Sequence, residues 1–255
     1  MPAKIQSATA NTALTVSVLE NFAIMKPESG EAVAAIEHLM GPGEEFSIFD
    51  LPQIKVPAGG ALNWEMPDGH AEQAFNCVIL HRKPVRAFWG TAMSEGGSPP
   101  DCTSSGNLIG TANESAREAY GVGGECATCP MNQWGSAKGQ DGKPTRGKGC
   151  KQVTRLFAAI ESTVLPVVLR IPPSSYRVTQ NALLLQAGMG KAYDSFITSV
   201  SLEKTRNADG IEYAVVKLTP GADLGAEELA IVRKRRDDFM PLFEAVRFDA
   251  DDGAA

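Results

Sequence analysis

Histidine is scarce in this chain: His38, His70 and His81 are the only three. No serine lies in an elbow-type motif, so a nucleophile–histidine relay has little to be built from. No run approaches the roughly 18 consecutive apolar residues of a membrane span. The opening Met1-Pro2-Ala3-Lys4-Ile5 lacks the apolar stretch of a secretory signal. These absences predict a soluble, cytoplasmic protein with no membrane partner. Phosphate-loop chemistry is also missing. Gly188-Met189-Gly190-Lys191 has no first glycine of the G-x-x-x-x-G-K-[ST] pattern, and Ala192 replaces its hydroxyl, so it reads as a helix C-terminus. Carboxylates crowd the two ends of the chain rather than forming a Mg²⁺ cluster. The sharpest enzymatic pattern is His70-Ala71-Glu72 with Cys126-x-x-Cys129, as in zinc deaminases, but Glu125 stands where that signature has proline. A non-enzymatic protein is expected.

Cysteine, by contrast, is patterned. Cys77 lies in the apolar run Phe75–Leu80 and reads as a buried thiol. The other four, Cys102, Cys126, Cys129 and Cys150, follow the spacing C-x23-C-x2-C-x20-C within Gly-, Pro- and Ser-rich sequence. In a reducing compartment that pattern favours metal over disulfides. The expectation is one structural Zn²⁺ per chain, closed by four thiolates. An iron–sulfur cluster and four unligated thiols are the alternatives.

Charge is uneven. The chain has a net charge of −6. Residues 134–177 nevertheless hold eight Lys/Arg against two Asp/Glu, a local balance of +6, while residues 1–100 and 209–255 each stand at −5. Such a segment can steer an anionic ligand. Aromatics accompany the cations: Arg86 with Trp89, Trp134 with Lys138, Lys143, Arg146, Lys148, Lys151 and Arg155, and Tyr176 with Arg177. Basic side chains can track phosphates while flat rings stack on unpaired bases, so these eleven residues are the candidate nucleic-acid contacts. A solvated loop is the bland alternative, and Trp64 is assigned to the core.

The 255 residues, 43% of them hydrophobic, suffice for a substantial core. Residues 1–45 read as an arm with a short helix over Glu31–Met40, and residues 223–255 as a C-terminal helix and short acidic tail. Between them, residues 46–222 show strand texture. Cys77–Leu80 and Val85–Trp89 read as two strands joined around Arg82-Lys83-Pro84, and Arg155–Ile160 and Leu165–Ile171 as two more. A helix capped by Ser174 or Ser175 runs to about Gly188, and a hairpin covers Ile197–Lys204 and Ile211–Leu218. Residues 94–151 lack regular pattern and need a staple to be ordered. The fold expected is α+β and mostly β: an OB-type five-stranded barrel with an inserted four-cysteine zinc subdomain and a C-terminal helix.

Several stretches also resemble a family of phage and mobile-element proteins: Arg86-Ala87-Phe88-Trp89, Pro99–Gly106, Cys126–Ser136, Gly147–Lys151 and Ile171–Ser175. That family is similar in shape to the zinc-containing OB-fold single-stranded-DNA-binding proteins of phages. The resemblance implies a role in DNA replication or recombination in a bacterial or phage-infected cell, with Cys102, Cys126, Cys129 and Cys150 as ligands. Replication or recombination proteins are further partners on that reading, and self-association stays open. The chain departs from the pattern in having no histidine near the cysteines and no terminal aromatic after its acidic residues. The resulting expectation is a single-stranded-DNA-binding protein. The alternative is an accessory factor that docks on a host polymerase or nuclease, using the acidic flanks and the helix bearing Arg233-Lys234-Arg235-Arg236.

Overall fold

The structure, a computed structural model, describes residues 17–26, 38, 50–54, 56–57, 60–90, 100–139, 142–206, 210 and 212–245. The helix expected over Glu31–Met40 and the acidic tail lie outside the described residues, His38 apart. The chain is a mixed α+β protein built on one large, mostly antiparallel sheet.

In chain order the strands are β1 (Gln53–Ile54), β2 (Trp64–Glu65), β3 (Ala71–Glu72), β4 (Ala74–Phe88), β5 (Cys102–Ser105), β6 (Ile109–Ala112), β7 (Gly124–Glu125), β8 (Lys151–Ile160), β9 (Val167–Ile171), β10 (Phe196–Arg206) and β11 (Glu212–Asp223). Joining them are the helices α1 (Glu114–Tyr120), α2 (Pro173–Gly188) and α3 (Ala226–Ala245). The long strand β4 organises the sheet. β8 pairs along one side of it, and β10 pairs with its first residues and β5 with its last. β9 lies beyond β8 and β11 beyond β10. Among the described residues this sheet does not close into a barrel.

Two expected strands, Cys77–Leu80 and Val85–Trp89, are thus one continuous strand. Pro84 reads as a break because it removes a ladder donor. It falls in the interval where β4 has exchanged β10 for β5 as neighbour, and its carbonyl accepts from Gly106 N–H at 2.9 Å.

β8 is buried on both faces, and each face feeds a different core. Phe157 and Ala159 join Val78, Leu80, the segment Leu19–Met25 and the α3 residues Val232, Phe239 and Phe243. Leu156, Ala158 and Ile160 join Trp64, Phe75, Cys77, Leu169, Val200 and Val216, against Leu183 of α2. Trp64 and Cys77 are both core residues as expected, and burial pushes the Cys77 thiol up to about 12.

α2 begins without the predicted serine cap. Pro172 holds the cap position and Pro173 the first turn, where a missing N–H costs nothing. The Ser175 hydroxyl instead accepts Val216 N–H of β11 at 2.9 Å, tying helix to strand. On the opposite face of the sheet, Lys83 from β4 donates to the carbonyls of Phe243 (3.0 Å) and Glu244 (2.9 Å) and so satisfies the last turn of α3.

The segment 17–26 is anchored through Glu228, whose carboxylate accepts from the Ser17 hydroxyl (2.6 Å), Val18 N–H (2.9 Å) and Gly225 N–H (2.8 Å). Desolvation raises this carboxyl, but the Ser17 hydroxyl and the N–H groups of Gly225, Val18 and Leu19 outweigh it and hold it below its ordinary value. A depressed folded-state value stabilises above the unfolded range near about pH 4.3 and is lost as pH falls through the folded value. Glu228→Gln should therefore flatten the acid limb of the stability–pH curve, measured by urea unfolding between pH 3 and 6. An unchanged acid limb would show that the contact contributes nothing.

Candidate nucleic-acid interface

Between β4 and β8, residues 100–139 and 142–150 are held by strand pairing and apolar packing. β5, β6 and β7 extend the sheet from the end of β4. α1 starts at Asn113, whose side chain accepts Ala116 N–H at 2.8 Å, and ends at left-handed Gly121. A small core of Phe88, Ala116, Val122, Tyr120 and Met131 sits beneath it. A Cβ on Gly90 would come within 2.3 Å of the Tyr120 ring, so only glycine lets the helix approach the strand end so closely.

The expected zinc centre is corrected by the structure. Cys102, Cys126, Cys129 and Cys150 do face one small cavity, together with Phe88, Val122 and Asn132. However, no group of three or more His, Cys, Asp or Glu side chains among the described residues is arranged to hold a metal ion. All five cysteines are free of disulfides. Burial raises the Cys102 thiol and pushes Cys150 up to about 11, which favours the neutral form that packs as a small apolar group. The staple for this segment is its β-ladder and apolar core.

From that base, residues 130–150 fold back towards β8. Cys150 N–H donates to Met131 O at 2.7 Å, and Gly135 and Ala137 N–H both donate to Gly147 O. The excursion between them carries Lys138, Lys143 and Arg146, all exposed. Its two legs bring Trp134 and Lys148 together, with the Lys148 ammonium 5.3 Å from the centre of the Trp134 ring. Trp134 is 74% exposed, which is unusual for so large an apolar side chain.

Trp134 and Lys148 form one wall of a groove of about 540 Å³. Arg86 from the end of β4 and Lys151 and Gln152 from the start of β8 line its floor, and Ser174, Tyr176 and Arg177 from the first turn of α2 its other wall. Three segments distant in sequence meet here because the end of β4, the start of β8 and the end of β9 share one end of the sheet.

Six of the predicted contacts therefore converge: Arg86, Trp134, Lys148, Lys151, Tyr176 and Arg177. Lys138, Lys143 and Arg146 lie on the adjoining excursion and Trp89 is half-buried beyond β4, all four outside the lining. Arg155 is a correction. It is fully buried in β8 and cannot meet a ligand, because β8 is buried on both faces from Val153 onward. Gln152, Ser174 and the buried Asn132 are additions that the sequence does not single out.

Among the described residues no Asp or Glu lines the groove. Among the described residues Arg86, Lys148, Lys151 and Arg177 have no carboxylate partner; the first three hydrogen-bond to amide or carbonyl oxygens. In an acidic protein, this is a concentration of unneutralised positive charge beside an exposed indole.

Other motifs settle into structural roles. His70 is on the exposed β2–β3 turn between Asp68 and Glu72, and Gly188–Gly190 ends α2, with Lys191 paired to Asp223 at 2.7 Å. Arg233 and Arg236 bind buried Asp194, Arg235 donates to Lys26 O and Lys234 pairs with Asp238, so all four basic residues of α3 are engaged within the fold. No helix among the described residues is long and apolar enough to cross a membrane. Comparison with protein-family models, curated proteins and solved structures returned no match for the chain.

Proposed function

We propose that this protein binds single-stranded DNA in the groove between residues 134–148 and the first turn of α2, without catalysis. One observation carries the reading: four cations with no carboxylate partner among the described residues, and two aromatic rings, line a single groove in a chain of net charge −6. The cations suit a phosphodiester backbone and Trp134 suits an unpaired base, a combination that gives sequence-tolerant, salt-sensitive binding.

An OB-type barrel is the finer reading of the sheet and belongs to this proposal. The order β9-β8-β4-β10-β11, with α2 between the third and fourth of these strands in sequence, matches the five-strand arrangement apart from closure. On that reading residues 89–150 are the loop between the first two strands. The groove is then bordered by the loop between the first two strands, one of the loops with which such barrels bind oligonucleotides. A role in phage or mobile-element replication or recombination rests on the sequence resemblance.

Trp134→Ala tests the stacking half. The loss expected for oligo-dT is about 1–3 kcal/mol, roughly 5- to 150-fold in Kd, with an unchanged salt slope. Equal affinity for the variant would remove Trp134 from the interface.

Docking on a protein partner is the second reading, and one observation favours it. Leu184, Leu185 and Met189 of α2 are 57%, 64% and 57% exposed, beside an apolar cleft between α2 and β10–β11. Pull-down from lysate after nuclease treatment separates the two, since partners held through DNA are lost and docked ones are kept.

A further inference from the structure

Asn132 is a buried amide that touches the groove only through other residues. Its side chain is confined by the short 3₁₀ turn Pro130–Asn132, and the residue is 8% exposed. Its Nδ2 donates to Cys126 O at 2.6 Å, which fixes the amide orientation and turns Oδ1 towards the groove. Oδ1 then accepts from two groove cations, Arg86 Nη1 at 2.7 Å and Lys148 Nζ at 3.2 Å. The Arg86 guanidinium is held on its other side by Gln152 Oε1 at 2.8 Å, and Lys148 also stands over the Trp134 ring.

We infer that Asn132 is a positioning residue for nucleic-acid binding, an inference that rests on the groove reading above. Two like charges brought to one point repel unless something between them accepts from both. A carboxylate would do this but would offset one of the two charges. A neutral amide oxygen gathers the two cations and leaves their charge available to phosphates. Asparagine suits the position because one end anchors on the backbone and the other accepts; leucine would bury both cations' donors without a partner. Through Lys148 the same amide sets the face that Trp134 offers to a base.

The test compares Asn132→Asp and Asn132→Ser with the wild-type chain, by oligo-dT titration across a salt series with Trp fluorescence as readout. Asn132→Asp places a carboxylate between Arg86 and Lys148 and offsets one of their two positive charges, the equivalent of one phosphate partner. The slope of log K against log salt should fall by about 0.7, the value for one phosphate neutralised on a single strand. Asn132→Ser cannot reach either cation; it should weaken binding and alter the Trp134 emission of the free protein. In an Arg86→Gln, Lys148→Gln background both substitutions should lose their effect on binding, which a merely structural role would not produce. Wild-type binding with an unchanged slope in Asn132→Asp overturns the assignment alone. If that variant does not fold, the serine variant decides by the same background test: an effect that persists without the two cations overturns the assignment. No binding by the wild type overturns the groove reading and this assignment with it.

Discussion

Replacing Lys148, Lys151 and Arg177 together by alanine should nearly abolish oligo-dT binding at low salt while leaving the protein folded. The three line both walls and the floor of the groove and have no carboxylate partner among the described residues, so no ion pair is broken by removing them. Each phosphate left without its cation should lower the salt slope by about 0.7, or about 2 for the three. Extrapolated from 1 M reference salt, that slope corresponds to a few hundredfold in affinity at about 50 mM salt. The deficit should shrink as salt rises, because the missing contribution is counterion release. A loss of equal size at all salt concentrations would indicate damage to the fold instead. The excursion residues Lys138, Lys143 and Arg146 are exposed but outside the lining, and the same triple substitution there should have the smaller effect.

The second large effect is on stability. Phe157→Ala should cost about 3–5 kcal/mol, a large share of the roughly 5–15 kcal/mol typical of a domain. Phe157 is fully buried in the middle of β8 and stacks on Phe243 of α3 with ring centres 4.4 Å apart. It belongs to the core that joins the sheet, α3 and residues 19–25. Removing the ring leaves a cavity that three separate elements would have to fill together. Urea unfolding is the measurement, and the midpoint should fall with little change in slope. Phe157 lies on the sheet face opposite Leu156 and α2, so oligo-dT affinity per folded molecule should hold. A cost below about 1 kcal/mol would mean that α3 is not docked as described.

Much of this architecture can be read from residue patterns. The Ile197–Lys204 and Ile211–Leu218 hairpin, the helix to Gly188 and the C-terminal helix stand where alternation and glycine punctuation place them. The groove is legible as composition, since six of its residues are basic or aromatic in runs that stand out in an acidic chain. Its shape is not, because Arg86, Lys148 and Arg177 meet only once β4, β8 and α2 are placed at one end of a sheet.

The differences between pattern and structure have physical causes. Arg155 misleads because β8 is buried on both faces, so alternation along it carries no information about solvent. Pro84 suggests a break that the exchange of β10 for β5 makes unnecessary. Cys102, Cys126, Cys129 and Cys150 suggest a metal through their C-x23-C-x2-C-x20-C spacing, within residues 94–151 that look patternless. The Asn113 cap and the Gly121 terminator of α1 are the local signals of order there. Asn132 carries no sequence signal at all, since its role depends on three partners from three different segments.

Titration of the full chain with oligo-dT over a salt series tests the central claim most directly. Four available cations and an exposed indole predict quenching of tryptophan fluorescence and a slope of log K against log salt near about −3, at roughly 0.7 per phosphate neutralised. No binding at low salt, or binding indifferent to salt, would contradict the account.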